Sequence, residues 1–177
     1  MSRVGKNPIE IPEGVKVELG SRVLAVLGNN GRKEVHIHDD LAVDIADSII
    51  KISLKNDTKY GRMLWGTTQR NIMNAVKGYK TPFQVRLTLN GVGYKAQVKG
   101  NKLVLSLGYS HDVEYDIPEG VNIKCEKPTL VVISGCDKDK VGQTAAEIQS
   151  VRSTEPYKGK GVYPEGKEIY RKEGKKN

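Results

Sequence analysis

The sequence predicts an α+β fold in which two similar small domains each contain an antiparallel sheet and one helix. Short apolar runs alternate with turn signals, two longer segments have helical spacing, and one pentapeptide occurs twice. Ile-Pro-Glu-Gly-Val stands at residues 11–15 and again at 117–121. Each copy precedes an apolar strand that ends in glycine, at 23–28 and 130–135. Features repeated in the same order indicate internal duplication.

The first helix is predicted from about Thr58 to Lys77, with Asp57 or Thr58 as its N-cap and Gly78 as its C-terminal stop. Its side chains at helical spacing form one stripe, which we expect to face the core. The members of this stripe are Trp65, Gln69, Ile72 and Val76.

The second helix is predicted to begin near Asp137 or Asp139 and to end before Pro156. Its apolar residues also recur at helical spacing and are expected to pack on a sheet. They are Val141, Ala145, Ile148 and Val151.

Between the helices, residues 83–90, 94–98 and 103–107 alternate apolar and polar side chains, which predicts strands. Glycine and asparagine at 28–31 and 99–101 are typical of hairpin turns. We therefore predict two domains, an N-terminal repeat at 1–82 and a C-terminal repeat at 83–177.

The charge distribution favours a polyanionic partner. The formal net charge is +8, and residues 152–177, which we call the basic arm, carry eight Lys or Arg against four Glu. Nucleic acid is the commonest polyanion for such a chain. A membrane surface is disfavoured because no basic amphipathic helix accompanies the charge, and no apolar run approaches the ~20 residues that a spanning helix needs. Two cysteines without a pairing framework, and no secretory leader at the start, predict a cytoplasmic protein.

The strongest candidate for a binding site lies in the basic arm. In residues 155–162, Lys158 and Lys160 alternate with Gly159 and Gly161 just after Tyr157. Lysines contact phosphates, glycines allow close approach of the backbone, and a tyrosine offers a ring for stacking or a hydroxyl for hydrogen bonding. The alternative interpretation is a flexible, solvated basic loop.

No pattern in the sequence predicts catalysis, a cofactor or a metal site. Residues 91–96 fit the loose dinucleotide motif G-x-G-x-x-A, but strand alternation comes after them where that motif requires a helix. Ser110, His111 and Asp112 are consecutive, so they cannot converge as a triad. His36 and His38 could share a strand face, but no third His is near them and neither cysteine has C-x-x-C spacing.

Four segments together resemble the bacterial-type large-subunit ribosomal protein L6 family. They are residues 2–9, 89–96, 107–111 and 155–162, the last being the most specific. The resemblance extends over nearly the whole chain. It implies a structural, non-enzymatic constituent of the large ribosomal subunit that binds large-subunit rRNA near the region where translation factors dock, beside neighbouring ribosomal proteins.

We therefore expect rRNA contacts from one set of residues in the basic arm and a second set in two turns. The arm set is Tyr157, Lys158, Gly159, Lys160, Gly161, Arg171, Lys172, Lys175 and Lys176. The turn set is Gly91, Gly93, Tyr94, Lys95, Tyr109, Ser110 and His111, because the two turns could lie on one side of the sheet. Truncation after Arg152 is expected to remove rRNA affinity while leaving the fold intact.

Two alternatives from other classes remain. One is a basic protein-interaction scaffold that does not bind ribosomes. The other is a nucleotide-dependent enzyme, which depends on the glycine pattern at 91–96 alone.

Overall fold

The computed structural model describes residues 3–28 and 31–174. The chain divides into two compact units, Met1–Pro82 (unit 1) and Phe83–Asn177 (unit 2). The described residues form two helices and thirteen strands, and every strand pairing is antiparallel. The predicted α+β fold with two similar sheet-rich halves is confirmed.

Unit 1 contains β1 (Ile9–Glu10), β2 (Lys16–Leu19), β3 (Val23–Gly28), β4 (Gly31–His36), β5 (Leu41–Ala46), β6 (Ile49–Leu54) and α1 (Lys59–Lys80). Unit 2 contains β7 (Phe83–Asn90), β8 (Lys95–Lys99), β9 (Lys102–Ser106), β10 (Val113–Asp116), β11 (Val121–Lys127), β12 (Leu130–Gly135), α2 (Lys138–Val151) and β13 (Gly161–Pro164). The expected turn at 28–31 includes Asn29 and Asn30, which lie outside the described residues.

The two units share one succession of elements. In unit 1 the strand before the helix, β6, lies between β1 and β5, and β2, β3 and β4 form a separate meander. In unit 2 the strand before the helix, β12, lies between β7 and β11, and β8, β9 and β10 form the meander. Unit 2 has one further strand, because β13 pairs with the outer edge of β7.

The repeated pentapeptide does not mark equivalent positions in this succession. Residues 11–15 connect β1 to β2, whereas residues 117–121 connect β10 to β11. Both copies form the same local turn, with φ of 86° at Gly14 and 83° at Gly120, and each glycine is followed by a valine N–H that donates back to the proline carbonyl at 3.2 Å. The pentapeptide therefore encodes a turn, and the use of its two copies to align the halves was wrong. The similarity of the units lies in their strand order.

Helix α1 is capped by Thr58, whose hydroxyl accepts from the Gly61 N–H at 2.9 Å and donates to the Asp40 carboxylate at 2.7 Å. The expected stop at Gly78 is wrong, because Gly78 is a buried position inside the helix, which continues to Lys80. One glycine inside a helix costs about 1 kcal/mol, which is too little by itself to end α1 at this position.

Each unit has its own core. In unit 1, Trp65 and Ile72 of the predicted α1 stripe pack with β-strand side chains, and the Trp65 indole donates to the Ile52 carbonyl at 2.8 Å. In unit 2, α2 begins after the N-cap Asp137 and buries Val141, Ala145 and Ile148 against the sheet, as the periodicity predicted.

Strand β13 lies within the basic arm and completes the unit 2 core. Val162 is fully buried, faces Leu89 in the pairing register and packs beside α2. Truncation after Arg152 would remove a strand and a core side chain, so the expectation that the fold survives it is wrong. The charge of the segment hid the strand, because only residues 161–164 of the arm enter the sheet.

Candidate nucleic-acid interface

Three segments of unit 2 meet beside β7 and the end of α2. We call residues 90–94 the glycine turn, residues 107–111 the tyrosine turn and residues 155–161 the arm loop. The Asn90 side-chain amide donates to the Gly159 carbonyl at 3.1 Å, which joins the glycine turn to the arm loop. The Tyr109 hydroxyl donates to the Val151 carbonyl at 2.9 Å, which joins the tyrosine turn to the end of α2. The expected arm and turn sets are thus connected.

The arm loop is held by its own backbone. The Glu155 N–H donates to the Lys160 carbonyl at 2.7 Å, and the Gly159 N–H donates to the Glu155 carbonyl at 3.1 Å. The chain then returns, because the Lys172 N–H donates to the Pro156 carbonyl at 2.9 Å. These bonds hold the backbone of the loop that carries Lys158 and Lys160.

Gly159 and Gly161 shape the loop from inside. Both have a positive backbone φ, 70° at Gly159 and 138° at Gly161, which L-residues with a side chain rarely adopt. A Cβ on Gly159 would stand 3.1 Å from the Arg171 Nε, and one on Gly161 would stand 2.7 Å from the Ser153 carbonyl oxygen. The space beside both glycines is filled by the protein's own chain, so neither requires a ligand to explain it.

Arg152 connects the arm to the tyrosine turn. Its guanidinium carbon lies 4.8 Å from the centroid of the Tyr109 ring, within the range of a cation–π contact. The pKa of Arg152 is raised, first by a hydrogen bond to Tyr109 and then by the electrostatic effect of the nearby Tyr94. The Arg152 carbonyl accepts from the Val162 N–H at 2.9 Å, which aligns β13. The expected set contained neither Arg152 nor Asn90, and their only sequence signal is that they are the first residues of the arm and of the glycine turn.

Tyr94 is placed in the core, with 8% of its surface exposed. A Cβ on Gly91 would stand 2.8 Å from its ring, and a Cβ on Gly108 would stand 3.2 Å from it, so both glycines make room for Tyr94. At this burial the Tyr94 ring is not available for a base to stack on, so Tyr94 of the turn set supports the shape of the site from within. The exposed residues of the two turns are Val92, Gly93, Gly108, Tyr109, Ser110 and His111, and Lys95, the residue after the glycine turn, is also exposed.

Besides Arg152 and Lys167, the arm exposes four cationic side chains that belong to the expected set, and the ion pairs found among residues 3–28 and 31–174 include none of the six. The four are Lys158, Lys160, Arg171 and Lys172. Two exposed tyrosines accompany them: Tyr157, which was expected, and Tyr170, which was not. Lys175 and Lys176 lie outside the described residues.

Other chemistries find no support in this part of the molecule. Residues 91–96 lead into β8, so the helix that a dinucleotide motif requires is replaced by a strand. The described residues contain no group of three or more His, Cys, Asp or Glu side chains that could hold a metal ion. In the same residues, neither helix combines the length and the apolar character needed to cross a membrane.

Relatives of this chain match it from end to end. It is 51% identical to the large ribosomal subunit protein uL6 of Paramagnetospirillum magneticum, over 176 residues that cover 99% of each chain. The proteins of the same name from Parvibaculum lavamentivorans and Rhodospirillum centenum are 50% and 49% identical over the same coverage. The chain belongs to the ribosomal protein L6 family. The model of this family matches residues 90–164, a range that includes the glycine turn, the tyrosine turn and the arm loop. The L6 family is one of structural proteins, in keeping with the absence of a catalytic pattern in the sequence.

Proposed function

We propose that this chain is a structural constituent of the large ribosomal subunit and binds large-subunit rRNA through unit 2. The observation that carries the proposal is the set of exposed cations at Lys158, Lys160, Arg171 and Lys172, which lie on the arm loop and on the segment hydrogen-bonded back to it. They are outside the ion pairs of the described residues, and the loop is joined to the glycine turn. A polyanion with a fixed backbone shape is the partner that such a surface fits.

The chemistry of the contact is phosphate neutralisation. Lys158, Lys160, Arg171 and Lys172 reach phosphates and displace counterions, which supplies sequence-independent affinity. Tyr157 adds a ring that is 54% exposed, suitable for stacking on an unpaired base. Recognition then depends on RNA shape, because the narrow A-form major groove excludes side chains.

The residues of the proposed site have three roles. Direct contacts come from Tyr157, Lys158, Lys160, Arg171 and Lys172, continued by Lys175 and Lys176. Flanking contacts come from the exposed turns, through Gly93, Lys95, Ser110 and His111. Shape comes from Gly91, Tyr94, Tyr109, Gly159 and Gly161, which position the other residues from within the protein.

The relatives are named for the large ribosomal subunit. We extend this to the present chain as a cytoplasmic ribosome component with other ribosomal proteins as neighbours. From the family resemblance we further propose that its rRNA contact lies near the docking region of translation factors.

Co-sedimentation separates this function from a free scaffold. The tagged chain is expected to sediment with large subunits in a sucrose gradient at low salt. A variant with Ala at Lys158, Lys160, Arg171 and Lys172 is expected to shift towards the top, because it has lost its phosphate contacts. The matched control replaces four exposed lysines of unit 1, Lys16, Lys51, Lys55 and Lys59, and should remain with the subunits. Sedimentation of all three proteins near the top would support the scaffold instead.

A further inference from the structure

The two units differ in the chain beyond the helix. After α2 the chain turns back and places β13 against the outer edge of β7. After α1 only Thr81 and Pro82 precede β7, so unit 1 has no chain left to form a corresponding strand. The strand of unit 1 that corresponds to β7 is β1, and β6 is its single strand neighbour among the described residues.

The outer edge of β1 has the geometry that β7 offers to β13. The Ile11 N–H donates to the Ser48 carbonyl at 2.8 Å, towards β6, and Ile9 is paired with Ile50 on that same side. Alternation along the strand then directs the N–H and carbonyl of Glu10 outwards. In unit 2 the outward carbonyl of Arg86 accepts from the Glu165 N–H at 2.9 Å, next to β13. Pro8 and Pro12, which flank β1, lack an N–H and restrict pairing to a short segment.

A groove of about 400 Å³ adjoins this edge. One side is formed by residues 8–12, and the other by Met73, Val76, Lys77 and Lys80 of α1. In unit 2 the side chain of Val162 is buried between β7 and α2. The position that Val162 fills in unit 2 corresponds in unit 1 to an open groove lined by the apolar side chains of Met73 and Val76.

We propose that this groove binds an extended segment of a neighbouring ribosomal protein, which adds to β1 as β13 adds to β7. The segment carries an apolar residue that enters the groove beside Met73 and Val76, and Asp or Glu near it. The acidic requirement follows from Lys77 and Lys80, which are exposed at the groove and absent from the ion pairs of the described residues. A protein segment fits better than RNA, because the two lysines stand beside apolar side chains and beside the outward main-chain groups of Glu10, which an extended peptide can pair with. This inference goes beyond rRNA binding by unit 2.

Site-specific photo-crosslinking in purified large subunits tests the groove. A benzophenone amino acid replaces the exposed Lys77 at the groove, and in the matched control it replaces the exposed Asn71. Asn71 lies on the same helix, about 120° around its axis and roughly 9 Å along it. Position 77 should give an adduct with one ribosomal protein, and the crosslinked peptide should contain an apolar residue within two positions of Asp or Glu. Position 71 should not give this adduct, and adding Lys80→Glu to the position 77 variant should lower the yield of the adduct at least fivefold.

Three results would overturn the groove proposal: an adduct with rRNA, the same adduct from both positions, or no adduct in subunits that contain the chain. The last outcome does not contradict rRNA binding by unit 2, because the sucrose gradient that purifies the subunits also shows whether they contain the chain. A chain that is absent from the subunit fraction would contradict the proposed function and the groove proposal together.

Discussion

At the scale of single residues, Asn90 and Arg152 hold the arm loop against the rest of unit 2. Asn90 ends a core strand and donates to Gly159 across 69 positions of sequence, and Arg152 stacks on Tyr109 while its carbonyl aligns β13. Both contacts are long-range. Local sequence patterns therefore identified the cations that the loop presents but not the side chains that position them.

Gly161 is the glycine whose replacement should be most costly. In Gly161→Ala the Cβ would approach the Ser153 carbonyl oxygen to 2.7 Å at a φ of 138°. We expect unit 2 to lose about 1–3 kcal/mol of unfolding free energy, measured by urea denaturation. The matched control is Gly142→Ala, an exposed position of α2 with no atom within 4 Å of the added Cβ. That control should gain about 0.5–1 kcal/mol. Equal effects of the two substitutions would contradict the assigned geometry.

At the scale of elements, the sequence predicted the helices and turns that a local motif or a periodic pattern of apolar residues indicates. Both helices, their buried stripes and the turn at Gly100 follow from spacing and from turn chemistry. The sequence did not predict β13, because a four-residue strand inside a basic arm has no detectable period. The two pentapeptides misled the alignment of the halves, because a turn motif can connect any two strands. The burial of Tyr94 depends on Gly91 and Gly108 from different segments, which no local pattern reveals.

The N-terminus of α1 should make the stability of unit 1 depend on pH. Hydrogen bonds from Thr58 and then Asn56 lower the pKa of Asp40 below its ordinary value of 3.8. A carboxyl group with a lowered folded-state pKa stabilises the fold above its unfolded pKa, and this contribution is lost as pH falls through the folded value. Asp40→Asn should therefore destabilise unit 1 at pH 6, and its difference from the unmodified chain should shrink below about pH 4. Urea denaturation of both proteins from pH 7 to pH 2.5 measures this difference in unfolding free energy. If the difference is constant over that range, the charge of the Asp40 carboxylate is not its cause.

At the scale of the whole molecule, the chain divides between Pro82 and Phe83, and each unit has a separate core. We propose that the units unfold independently. The single tryptophan, Trp65, is buried in unit 1, so its fluorescence reports on unit 1 alone.

Val162→Ala tests this independence. The buried side chain contributes to the unit 2 core, and its truncation should cost about 2 kcal/mol, seen as a lower urea midpoint in far-ultraviolet circular dichroism. The Trp65 fluorescence midpoint should not change. Val92→Ala is the matched control, since Val92 is 94% exposed, and it should shift neither signal. A common shift of both signals in Val162→Ala would show that the two units unfold as one.

The salt dependence of rRNA binding tests the central claim most directly. Affinity for large-subunit rRNA is measured against salt concentration for the unmodified chain, for Lys158→Ala with Lys160→Ala, and for the unit 1 control Lys51→Ala with Lys55→Ala. Each lost phosphate contact lowers the slope of log affinity against log salt by roughly 0.7–0.9. We expect the arm variant to flatten the slope by about 1.4–1.8 and to weaken binding to folded and scrambled RNA by similar factors, with no change in the control. An unchanged slope in the arm variant, or an equal change in the control, would contradict phosphate binding by the arm loop.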